Sequence, residues 1–96
     1  MKKINLALNL AVIILREKDR FVAYSPALDL SSSGKNYEQA KKRFTEAASL
    51  FFEEIIAKNT VNEALEELGW QKIRKEWRPP TVISQETETV RIPALA

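Results

Sequence analysis

Three groups of side chains are of types that could do chemistry. The run Ser31-Ser32-Ser33 places three hydroxyls just ahead of Lys35. A serine becomes a nucleophile only beside a base that takes its proton. The chain has no histidine and no cysteine, which leaves Lys35 as the base near in sequence. Imidazole catalysis, thiolate zinc sites and disulfides are excluded by the same absence. Short hydroxyl residues ahead of a helix more commonly make turns and caps, and that is the stronger reading of the serines.

The second group is acidic. Two-metal hydrolysis needs several carboxylates converging on one point. Here Asp29 is strand-borne, Glu17 and Asp19 flank a turn, and Glu38, Glu46, Glu53 and Glu54 fall along a helical stretch. That scatter reads as solvated surface charge. No catalytic residue, metal site or cofactor is expected, and the chain is not expected to be an enzyme.

The third group is Trp70-Gln71-Lys72-Ile73-Arg74-Lys75-Glu76-Trp77-Arg78. Read as one strand, it puts Lys72, Arg74 and Arg78 on a face with Trp70 and Glu76, and Ile73 with Trp77 on the other. Cations beside aromatic rings can hold nucleic acid through phosphate contacts and base stacking. Lys72, Arg74, Lys75 and Arg78 are therefore candidate nucleic-acid-binding residues. The plainer reading is an edge strand whose tryptophans anchor the core and whose charges discourage aggregation.

The elements that must position these groups follow from patterning. Leu6, Leu8, Leu10, Val12 and Ile14 are apolar at even positions, which predicts a half-buried strand. Lys18-Asp19 predicts a turn, and Phe21 to Ser25 a second, antiparallel strand that Pro26 ends. Leu28 to Ser33 is a short third strand, broken by Gly34. Asn36 with Gln39 forms a capping box for a helix from Tyr37 to Lys58. Tyr37, Ala40, Phe44, Ala47, Ala48, Phe51 and Ile55 fall on one stripe of that helix. Leu50 and Ile56 lie outside it, and together with Phe52 they exceed what a sheet-facing stripe needs. A second capping box, Thr60 with Glu63, opens a helix from Val61 to Leu68, which Gly69 closes. The expected fold is α+β, in the order β-β-β-α-α-β, with the helices on one face of a small antiparallel sheet.

The chain has 96 residues and a net charge of +2, which allows one small domain and gives little bulk attraction for nucleic acid. Lys2 and Lys3 before an apolar run resemble a secretory signal, but Asn5 and Asn9 interrupt that run and Arg16 to Arg20 replaces a small-residue cleavage site. The run is too short to span a membrane as a helix. No membrane association is expected, and a cytoplasmic location is.

The hairpin Phe21-Val22-Ala23-Tyr24-Ser25-Pro26, Leu28, the step Ser31-Ser32-Ser33-Gly34 and a helix opening with Glu38 and Ala40 together resemble the HicB-like antitoxin family. The resemblance runs from about Val12 to about Phe52, and Leu65-Glu66-Glu67-Leu68-Gly69-Trp70 is similar to the tail of shorter members. Arg20 stands where members often carry glycine, and Asp29-Leu30 replaces a longer Pro-Gly-Cys step. The resemblance implies a degenerate ribonuclease-H-like fold and a protein that neutralises a HicA-like toxin, a small ribonuclease of translated messages, by covering its active face. Many members add a helix-turn-helix or ribbon-helix-helix segment. No such segment is found in this sequence, which counts against the promoter binding that the resemblance would otherwise imply. An electrostatic contact would set the acidic helix face around Glu46, Glu53 and Glu54 against a basic toxin.

Residues 1–78 are expected to form the HicB-like α+β domain and 79–96 a C-terminal extended arm. Val82-Ile83 and Thr87 to Ile92 have strand propensity but follow Pro79-Pro80. An isolated strand needs an edge, so the chain is expected to be a homodimer held partly by this arm.

Overall fold

The computed structural model describes residues 8–94. Three strands, β1 (Ile13–Glu17), β2 (Arg20–Ser25) and β3 (Leu30–Gly34), form an antiparallel sheet in the order β1-β2-β3. Helix α1 (Tyr37–Ala57) packs over β3 and β2, and α2 (Val61–Glu67) packs on α1. A separate hairpin, β4 (Gln71–Ile73) and β5 (Glu76–Arg78), completes the regular elements among the described residues. The α+β class and the helices following the antiparallel sheet are as the patterning predicts.

The register explains the core. Phe21, Ala23 and Ser25 of β2 pair with Gly34, Ser32 and Leu30 of β3, so all six share the helix-covered face. Ala23 is fully buried, as are Ala40 and Phe44 of α1 for practical purposes. Ile14, opposite Ala23, lies on the same side. The opposite face carries Ile13, Leu15, Val22 and Tyr24, and among the described residues no helix covers it; Leu15 remains 46% exposed.

Local chemistry sets the helix ends. The Asn36 side chain accepts from the Gln39 amide at 2.8 Å, as a cap should. The reciprocal arm of the box is shifted by one residue, because Gln39 Oε1 accepts from the Lys35 amide at 2.7 Å. At the far end, Asn59 takes a left-handed φ of 57°, and Thr60 N–H donates to the Ile55 carbonyl at 2.9 Å. Gly69, with φ of 91°, closes α2 in the same way, with Trp70 N–H donating to the Leu65 carbonyl at 2.9 Å.

Four local expectations are corrected. The first strand starts pairing at Ile13, not Leu6: β2 ends at Ser25, and Pro26 offers no N–H to continue the ladder. Leu6 lies outside the described residues, and Leu8 and Val12 are not in the paired strand. The third strand runs from Leu30 to Gly34; Leu28 sits buried in the turn before it, and Gly34 is its last member. Thr60 makes no side-chain cap for α2, because its hydroxyl is turned back to the Ile55 carbonyl, 3.5 Å away. Finally, Trp70 to Trp77 is not one strand. It folds into the β4–β5 hairpin around Arg74-Lys75, both with positive φ.

Residues 79–94 form no helix or strand, and Ile83, Val90 and Ile92 are 91%, 76% and 80% exposed. This segment pairs with neither sheet of its own chain. Among the described residues, no helix is long and apolar enough to cross a membrane.

Candidate functional site

The outer surface of α1 is built by helical geometry. Glu46 and Glu53 are seven residues apart, two turns, so they project to the same side about 10 Å apart along the axis. Glu54 is turned about 100° from Glu53 around the helix. There it meets Lys58 one turn on, at 2.7 Å, and this ammonium holds its carboxyl below the usual carboxylate range by hydrogen bonding and then by charge. The three predicted carboxylates thus divide into an outward pair, Glu46 and Glu53, and a flanking ion pair. Leu50 and Ile56, on either flank of the outward pair, are 63% and 65% exposed. Phe52, by contrast, is absorbed by the core, edge to face with Phe51 and Trp70. The result is a helix face on which Glu46 and Glu53 stand beside large bare aliphatic groups, with Lys42 one turn before Glu46.

The basic stretch is arranged differently from its strand reading. In the hairpin, Lys72 faces Trp77, and Gln71 and Ile73 face Arg78 and Glu76. Directly opposed residues share a face, so Lys72 and Arg78 lie on opposite faces. Arg74 and Lys75 occupy the two-residue turn itself, with φ of 52° and 70°. The Lys72 ammonium stands 5.6 Å from the centre of the Trp77 ring, and Arg78 lies 4.0 Å from Glu76. The predicted single face of Lys72, Arg74 and Arg78 does not form, because the tight turn reverses the chain between them. Trp77 packs half-buried against the core, so its ring is engaged there.

The serine run belongs to the framework. Ser32 Oγ donates to the Arg43 carbonyl at 3.4 Å, and the Arg43 guanidinium donates to the Ser33 carbonyl at 3.2 Å, tying β3 to α1. Arg20 donates to Ser33 Oγ at 3.4 Å. Among the described residues, no lysine side chain hydrogen-bonds to these hydroxyls. Ser25 Oγ, fully buried, has no hydrogen-bond partner among the described groups. No cluster of three acidic side chains that could hold a metal ion occurs among the described residues.

Two contacts escaped the linear pattern. The Trp70 indole donates to the Ala27 carbonyl at 2.7 Å across 43 residues, pinning the start of the hairpin to the β2–β3 turn. Tyr24 donates to Asp29 at 3.0 Å, and this bond, with the neighbouring charge, holds its hydroxyl above its ordinary value of 10.0. Asp29 sits at φ of 48°, where a short polar side chain is tolerated.

No family model matches the chain, and neither the curated proteins nor the solved structures contain a match to it.

Proposed function

We propose that the chain is an antitoxin-like binding protein that occludes the active face of a HicA-like, RNA-cleaving toxin. The observation that carries this reading is the outer face of α1. Glu46 and Glu53 stand beside the exposed side chains of Leu50 and Ile56. Acidic groups steer a basic partner, and bare aliphatic groups give the buried contact area that charge alone does not. A ribonuclease that grips messages must present cations at its active face, and this surface is complementary to one. The residues that resemble the HicB-like family fall within β2, the turn after it, β3, the start of α1, and α2 with the residues that close it, and β2, β3 and α2 are elements that α1 packs against.

Co-expression with a HicA-like toxin tests the reading. Wild-type chain is expected to co-purify with the toxin and restore growth. Glu46→Lys with Glu53→Lys is expected to slow association and weaken the complex at least tenfold, with a reduced salt dependence. No complex and no rescue would overturn it.

A second reading is a nucleic-acid module. It rests on the hairpin, whose turn displays the cations Arg74 and Lys75 between Lys72 and Arg78. Binding to short RNA or DNA should then weaken steeply with salt, and the slope should fall when these four residues become alanine.

A further inference from the structure

The apolar stripe of the first strand continues beyond the point where its pairing ends. Ile13 is opposite Tyr24, and β2 has one residue left before Pro26. Residues 8–12 therefore have no partner strand on either side among the described residues. Yet Leu10, Val12 and Ile14 all line one groove against Tyr37, Lys41 and Phe44 of α1. Their side chains point the same way, so the strand-like alternation persists through the unpaired stretch. The groove holds about 370 Å³. Val12 and Tyr37 of its lining remain 38% and 46% exposed, and Leu8, two residues before Leu10, 49%. Unpaired backbone with an apolar flank is a template for another strand.

We propose that residues 8–12 pair with the same residues of a second copy of this chain, antiparallel about a two-fold axis at Leu10. The two three-stranded sheets then become one. Opposed residues in an antiparallel pair share a face, so both leucine-rich stripes fall on the helix side of the joined sheet. Leu8 lies opposite the partner's Val12, each covering the other, and Asn9 lies opposite the partner's Ala11 on the far face. One symmetric contact satisfies both copies, which is the property of an isologous interface.

The alternative occupant from the chain itself fits less well. In an extended C-terminal segment, Glu86, Glu88, Val90 and Ile92 share one face. Two carboxylates would then enter an apolar groove in which Lys41 is the one ammonium. Five paired residues and one groove of about 370 Å³ from each copy make a small contact, at the low end of the roughly 1,000 Å² in total that a specific interface needs. The dimer is accordingly reversible and concentration-dependent.

The chain has no cysteine, so introduced thiols report alone. Under mild oxidation, full-length Leu10→Cys is expected to form a covalent dimer, since residues at the axis lie within disulfide reach. Asn9→Cys and Ala11→Cys should cross-link when mixed and several-fold less when separate. In sedimentation velocity, the unmodified chain should pass from monomer to dimer with concentration. Leu8→Lys should weaken that association at least tenfold with an unchanged circular dichroism spectrum, and Val90→Asp with Ile92→Asp should leave it unaltered. A chain monomeric at every concentration overturns the proposal. So does a dimer lost in the Val90, Ile92 variant and kept in Leu8→Lys, or a cross-linking maximum at a cysteine placed at Val90.

Discussion

Gly34→Ala is expected to be severely destabilising, for a reason specific to this fold. A Cβ at Gly34 would stand 2.6 Å from the Ala40 amide nitrogen, 2.9 Å from the Gln39 carbonyl carbon and 3.0 Å from Ala40 Cα. All three are backbone atoms of the first turns of α1, so no flexible side chain can move aside. Relieving the closest contact means parting strand and helix by about 0.8 Å, from 2.6 to 3.4 Å. That lifts the fully buried Ala40 from the sheet and pulls on the Asn36–Gln39 cap, whose bond is 2.8 Å long. Overpacking against an unyielding neighbour costs about 2–3 kcal/mol. A domain of this size loses about 10–20 °C of melting temperature for such a change. Gly69→Ala is the matched control. Its Cβ meets Pro80 at an ordinary 3.5 Å, and its cost is the left-handed φ of 91° alone, about 1 kcal/mol. Urea unfolding of both variants, read by tryptophan fluorescence, gives the two free energies. A Gly34→Ala variant within 0.5 kcal/mol of wild type, or less destabilised than Gly69→Ala, would refute the close-approach argument.

Trp70→Phe removes the indole donor while keeping an aromatic ring against Phe52, leaving the Ala27 carbonyl without that 2.7 Å bond in a buried site. The expected cost is about 1–3 kcal/mol in urea unfolding, and a loss under 0.5 kcal/mol would show that the bond contributes little. Asp29→Gly, which suits the φ of 48° and removes the acceptor, should bring the Tyr24 titration, followed by absorbance, back down towards 10.0, because that hydrogen bond is the largest cause of its elevation. The sign is that of a raised folded-state pKa: the stabilisation is complete below 10.0 and disappears as pH rises through the folded value. A Tyr24 midpoint that does not move in Asp29→Gly would assign the shift to burial instead.

The candidate surface was partly legible in the residues. Glu46, Glu53, Leu50 and Ile56 can be placed on the outside of α1 from spacing alone, since a helix repeats every 3.6 residues whatever surrounds it. That Glu54 leaves the acidic face for Lys58 is equally a matter of four-residue spacing, though the strand and turn signals drew no attention to it. The basic stretch was misread because its turn lacks the usual Asn-Gly signal. Arg74 and Lys75 accept a positive φ that their own preferences disfavour, and the packing of Trp70 and Trp77 on either side holds them there.

What the sequence determined by itself is everything governed by neighbours within about one turn. This covers the cap at Asn36, the inward stripe of α1, the Lys18-Asp19 hairpin, the stop at Pro26 and the left-handed residue at Gly69. Each is decided by a side chain acting on backbone a few residues away, so the information is contiguous. Tertiary structure decided the rest. An apolar alternation from Leu6 onward says which residues could be a strand, yet pairing begins at Ile13 because its partner, β2, runs out first. The Thr60 hydroxyl serves the helix behind it, not the one ahead, because the two helices share that residue. Gly34 matters through a backbone that the fold brings beside it. In each case the outcome rests on a group beyond the reach of one helical turn, brought alongside by how whole elements end and pack, and that is settled only when the chain is folded.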